Sequence, residues 1–104
     1  NREAWHMLLE AAQQEGLLDP AMPADLLERT LSFFANGVML SWAMGVLPTS
    51  DLRPSSALGY AMVLRGAATD RGRDILTTHI EKYQAMLRRS GEPAKGRRPV
   101  SLSS

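Results

Sequence analysis

Apolar residues recur along this chain mostly at helical spacing, and nowhere in the strict alternation of a half-buried strand. Trp5, Leu8, Leu9 and Ala12 follow the i, i+3, i+4, i+7 rule of one helix face, and Gly16 stands where a left-handed C-cap ends a helix. A first helix is therefore expected over about residues 2–15. The segment LLDPAMPAD follows with two prolines, and Pro23 suits the first turn of a helix, where its missing N–H has no intrahelical partner. A second helix is expected from near Pro23 to just before Pro48. The loop VLPTSDLRPSS offers Ser and Asp caps for a short third helix over roughly 54–66, closing at Gly66. Thr69 or Asp70 caps a fourth, in which Ile75, Leu76, Ile80, Tyr83, Met86 and Leu87 form one stripe down to about Arg89. The fold class implied is all-α, a small bundle of about four helices over residues 1–89. The remaining stretch, SGEPAKGRRPVSLSS over 90–104, is poor in large apolar residues and reads as a disordered polar and basic tail.

The run TLSFFANGVMLSWAMGVLPTS, from Thr30 to Ser50, contains no charge. Turned at ~100° per residue, Leu26, Leu27, Thr30, Leu31, Phe33, Phe34, Val38, Leu40, Trp42 and Met44 fall on an arc of roughly 200°. That is about twice the apolar width needed by a helix resting on one core. A membrane span requires about 20 predominantly apolar residues, and Ser32, Asn36, Ser41, two glycines and Pro48 interrupt this one, so no membrane partner is expected. Two buried sides fit better, one against the chain's own helices and one against a second copy. Gly37, Ser41 and Gly45 recur every four residues, a row of small side chains that lets another helix backbone approach closely. The expected homodimer interface comprises this row with Leu76, His79, Ile80, Tyr83 and Leu87 of the fourth helix.

Composition removes function classes more than it adds them. The chain has 104 residues, enough for one small domain, and a formal net charge of +1 with Arg and Lys spread among Asp and Glu, so charge announces no nucleic-acid partner. It has no cysteine, which excludes disulfides and thiolate chemistry and is compatible with a cytoplasmic location. His6 and His79 lack companions at metal-ligand spacing, no serine sits in a glycine elbow, and the acidic residues are spread as helix surface charges. No catalytic residue, metal or cofactor is expected, and the chain is not expected to be an enzyme. Lys95, Arg97 and Arg98 read as a solvated basic tail. The opening NREAWHMLLEAA is already periodic and lacks an initiator Met, from which a longer parent protein is expected.

The stretch GLLDPAMPADLLERTLSFFANGVMLSWAMG, followed by ALGYAMVLRGAATDRGRDIL, resembles the C-terminal regulatory domain of the TetR family of bacterial transcriptional repressors, over about residues 1–89. The shared pattern is a helix ending in Gly before a proline loop, a long helix carrying Asn36-Gly37, and Leu64-Arg65-Gly66 before a last amphipathic helix. The resemblance implies an all-helical domain that binds a small molecule and dimerises through a four-helix bundle, two helices from each subunit. It also implies operator DNA as a partner, contacted only through an N-terminal helix-turn-helix domain, which residues 1–104 do not contain. On this resemblance Trp5, Phe34, Met39, Trp42 and Met62 are the candidate lining of a pocket for a small apolar or aromatic effector, with Trp42 facing the subunit's interior. His6, Asn36, His79 and Tyr83 are its candidate polar handles. A purely structural homodimerisation module without a ligand is the alternative.

Overall fold

The computed structural model describes residues 2–91. They form four helices and no strand: α1 (Arg2–Gln14), α2 (Ala24–Ala43), α3 (Thr49–Gly66) and α4 (Asp70–Gly91). Each helix packs on its neighbour in sequence, α1 on α2, α2 on α3 and α3 on α4. The expected tail starts late, since Ser90 and Gly91 belong to α4; the remainder of it lies outside the described residues.

α1 and α2 end in the same way. The N–H of Gly16 reaches the carbonyl of Gln13 at 3.2 Å and that of Leu17 reaches Ala12 at 2.9 Å, while Gly45 reaches Trp42 at 3.0 Å and Val46 reaches Ser41 at 2.9 Å. Both are Schellman turns, and each places its glycine at φ +78°, a backbone conformation that disfavours any side chain. Gly45 therefore stops α2 and does not continue the Gly37, Ser41 row, so the expected three-residue stripe is broken after Ser41. α3 consequently begins earlier than expected. Pro48, extended at φ −61° and ψ 148°, precedes Thr49, and Pro54 sits inside the helix. Having no N–H, it leaves the Ser50 carbonyl, four residues earlier, without its helical donor. The indole N–H of Trp42 donates to Thr49 Oγ1 at 2.9 Å and ties the end of α2 to the start of α3.

The core is small. Leu9, Leu18, Ala24, Leu27, Leu31, Ala67 and Ala68 are buried together, with Trp5, Tyr60, Val63, Leu64 and Leu76 packed around them. Three rings join α1, α2 and α3: Tyr60 lies 5.6 Å from Trp5 and 5.4 Å, edge-on at 75°, from Phe34. Gly59 permits this approach, since a Cβ there would lie 1.9 Å from the tip of the Phe34 ring. Beside the rings, His6 holds its two ring nitrogens 3.4 Å from the carboxylates of Glu10 and the buried Glu28.

The loop after α1 and the loop before α4 clasp each other. Leu18 and Ala68 form an isolated antiparallel bridge, with the Asp19 N–H on the Ala67 carbonyl at 2.8 Å and the Thr69 N–H on the Leu17 carbonyl at 3.0 Å. Thr69 Oγ1 donates to the Gly16 carbonyl at 2.6 Å and accepts the Gly72 N–H at 3.2 Å, capping α4 while holding the other loop. Arg71 adds a bond from Nη1 to the Glu15 carbonyl at 3.3 Å. Gly72 lies so close beneath this loop that a Cβ on it would stand 1.9 Å from the Leu17 carbonyl oxygen.

Candidate functional site

Two apolar features remain once the core is assembled, and they share no residue. The first is a cavity of about 200 Å³ between α1 and α4, two helices that do not pack on each other directly. α1 supplies Trp5, Leu8, Leu9 and Ala12, the apolar face read from the sequence. α4 supplies Gly72, Ile75 and Leu76, α3 supplies Leu64, and the clasped loop forms one end through Leu17 and Leu18. No lining side chain is charged, and the Trp5 indole nitrogen is the sole polar side-chain atom among them.

The second feature is the outer face of α2. Leu27, Leu31, Phe34, Val38 and Ser41 step by 4, 3, 4 and 3 residues along the side turned to the chain's own core, buried or half-buried throughout. One residue earlier at each step, and so ~100° round the helix, run Leu26, Thr30, Phe33, Gly37 and Leu40, all exposed, with Met44 closing the line. Leu26 is 45%, Phe33 67%, Leu40 61% and Met44 69% exposed, far above a core-facing helix position. Thr30 turns its hydroxyl back to the Leu26 carbonyl at 2.9 Å, and a Cβ added at Gly37 would meet nothing within 4 Å. The result is a solvent-facing apolar seam with a notch at its middle and alternating 3- and 4-residue spacing, the pattern that lets two helices interlock along their length.

The residues expected to line a single pocket are distributed among separate places. Trp5 alone borders the α1–α4 cavity. Phe34 lies against Gly59 and Tyr60, inside the contact between α2 and α3. Met39 borders a shallow depression with Thr49, Leu52, Arg53 and Tyr60, and Met62 borders another with Arg65, Thr77 and Ile80. Trp42 is exposed and its indole is occupied by Thr49, so its expected inward aim does not match its place at the α2–α3 corner. Of the polar handles, His6 is engaged by Glu10 and Glu28, while Asn36 and His79 are exposed.

The expected interface residues also divide. Gly37 lies in the exposed seam of α2, Ser41 lies on the inner line, and Gly45 is outside the helix. On α4, Leu76, Ile80, Tyr83 and Leu87 form the half-buried line, and the one helix that packs on α4 is α3, so these four serve the chain's own bundle. The outward face of α4 carries His79 and Met86, and Ile75 is exposed at the border of the α1–α4 cavity. Of the ten residues lining the α1–α4 cavity sequence reasoning placed only Trp5 in a pocket; Leu8, Leu9 and Ala12 were read as a helix face and Ile75 and Leu76 as part of the α4 stripe, while Leu17, Leu18, Leu64 and Gly72 were assigned no such role, and Leu17 and Gly72 lie there because of the loop clasp, which no periodicity encodes.

Among the described residues no helix is long and apolar enough to cross a membrane, and no group of three or more His, Asp or Glu side chains is placed to hold a metal ion. The molecule is thus an all-α four-helix bundle that carries an apolar cavity and an unpartnered apolar helix face. No family model, no curated protein and no solved structure matches the chain.

Proposed function

We propose that the chain is the effector-binding and dimerisation domain of a TetR-like transcriptional repressor, acting in the cytoplasm and joined to operator DNA only through a separate N-terminal domain. The observation that carries this reading is the outer seam of α2. A solitary bundle has no use for Leu26, Phe33, Leu40 and Met44 in water at heptad spacing, and a second copy covers them with the same residues. In a two-fold pairing of α2 with its partner, Phe33 of one chain fills the notch over Gly37 of the other. The α1–α4 cavity, lined from elements outside the seam, leaves room for an effector while the dimer is assembled. This division of faces and the sequence resemblance together favour a regulator over an enzyme.

The test is sedimentation of the wild-type chain and of Phe33→Glu. Wild type should be dimeric at tens of micromolar. Phe33→Glu, which would bury a pair of unpaired like charges, should weaken association by at least 100-fold while leaving helix content unchanged. A monomeric wild type at that concentration refutes the reading.

A further inference from the structure

We propose that the α2–α3 corner docks on an anionic bilayer surface, its apolar turn entering the headgroup region while the arginines around it meet lipid phosphates. The inference goes beyond the effector-domain reading and does not rest on it.

Among the described residues no helix is long and apolar enough to cross a membrane, but a surface contact uses only the end of the uncharged Thr30–Ser50 run. At this corner Val46 is 74% and Trp42 39% exposed, beside the exposed Met44. Backbone amides keep most turns out of an apolar layer, because an N–H stripped of water needs another partner. This turn strands none. The Met44 N–H donates to the Leu40 carbonyl at 2.9 Å and that of Gly45 to Trp42 at 3.0 Å. Those of Val46 and Leu47 both donate to Ser41, at 2.9 and 3.1 Å, and Pro48 has no N–H. The Trp42 indole N–H is held by Thr49, so the exposed ring offers apolar surface with its one donor already satisfied.

Charge points the same end outward. Ser90 Oγ donates to Asp51 Oδ1, which sets Arg88 and Arg89 at the end of α4 level with Arg53 near the start of α3. All three arginines are exposed, and no carboxylate among the described residues pairs with any of them. Lys95, Arg97 and Arg98 lie outside the described residues, and chain geometry alone keeps them within about 25 Å of Gly91. Residues 41–54 and 86–98 therefore carry six basic and two acidic side chains, whereas 10–29 and 66–74, toward the clasp, carry three basic and seven acidic. A net charge of +1 conceals this polarity, which turns the corner and not the clasp toward a negative surface.

The pairing of cations with an apolar turn selects a bilayer over other polyanions. Nucleic acid offers phosphates but nothing for Val46 or Met44, and phosphate contacts draw on backbone N–H groups that this turn has already spent. The corner also projects as the tip of a helical hairpin. A fluid headgroup layer yields around such a tip and receives its apolar side chains and its arginines at adjacent depths.

The experiment cosediments the full chain with vesicles of phosphatidylcholine alone and of phosphatidylcholine with about a third phosphatidylglycerol, and measures binding to a duplex DNA fragment alongside. Binding should require the anionic lipid and fall at least tenfold between about 0.1 and 0.5 M salt. Val46→Asp changes an exposed side chain that the fold does not need, and should weaken vesicle binding at least tenfold. Arg53→Gln should weaken it about fivefold, the worth of one basic residue near such a surface. Arg29→Gln, the same loss of charge near the other end of α2, should change it less than twofold. Absence of binding to the anionic vesicles overturns the proposal. So do equal losses in Arg53→Gln and Arg29→Gln, or an affinity that Val46→Asp leaves unchanged. Tighter binding to the DNA fragment than to the anionic vesicles overturns it in favour of a polyanion surface.

Discussion

Replacing Gly72 by Ala perturbs the bundle where it has no room to yield. The added Cβ would lie 1.9 Å from the Leu17 carbonyl oxygen and 2.9 Å from its carbon, and both are backbone atoms. Relief to an ordinary contact requires the loop to retreat by more than an ångström. The same oxygen accepts the Thr69 N–H at 3.0 Å, and retreat of that size breaks this bond. A lost hydrogen bond of this kind costs about 0.5–1.5 kcal/mol, and overpacking costs about 1–3 kcal/mol. Ala is the better helix former by about 1 kcal/mol, which offsets part of the loss. The net expectation is a destabilisation of about 1–3 kcal/mol, a fall in Tm of roughly 5–20 °C for a domain of this size. Gly66→Ala is the control: it lies in α3 with nothing within 4 Å of its Cβ, and should be neutral or stabilising by up to about 1 kcal/mol. Thermal and urea unfolding of both variants at one fixed protein concentration decides the matter, since association makes Tm concentration-dependent. If Gly72→Ala matches wild type, or the two variants move together, the clasp is not held at the distance described.

Two further substitutions probe neighbouring joints. Thr69→Val preserves shape but removes both the cap on the Gly72 N–H and the bond to the Gly16 carbonyl; a loss of about 1–3 kcal/mol in urea unfolding is expected, and a loss under 0.5 kcal/mol counts against the clasp. Gly59→Ala drives a Cβ into Phe34, a side chain that can turn but only by leaving its edge-on contact with Tyr60; a smaller cost, about 1–2 kcal/mol after the helix-propensity gain, should appear with a changed near-ultraviolet aromatic signal, and an unchanged signal would refute the close contact.

Helix identity was legible in the sequence wherever the apolar period ran cleanly, and its limits were not. α1 and α4 lie close to their expected bounds because Trp5, Leu8, Leu9 and Ala12, and Leu76, Ile80, Tyr83 and Leu87, each keep one face. The end of α2 was hidden although Gly45 carries the same signal as Gly16. After Gly16 the apolar pair Leu17-Leu18 gives way to Asp19-Pro20, a plain loop, whereas Gly45 lies within a run whose apolar residues continue on both sides. The excess apolar width of α2 was real, and the structure resolves it into two lines ~100° apart. The cavity was half legible, because the α1 stripe was read as a face but its opposite wall depends on where the α1–α2 loop meets α4. That meeting is made by backbone carbonyls and amides, which every residue possesses, so side-chain pattern carries no trace of it.

The clasp joins Thr69 to Leu17, more than fifty positions apart in the chain, and this separation orders the events of folding. Closing a free loop of that length costs about 3.5 kcal/mol in chain entropy beyond a constant, comparable with the roughly 2–6 kcal/mol that the bonds of the clasp return. Prior pairing of α2 with α3 shortens the distance to be closed, so that hairpin is expected to precede the clasp, with α1 docking last. On opening, α1 and its loop are expected to detach before α2, α3 and α4, and amide exchange faster in α1 than in α3 checks this. Because that segment also supplies one wall and one end of the α1–α4 cavity, a molecule bound there would select the closed ensemble, and its affinity would carry the free energy of that local opening.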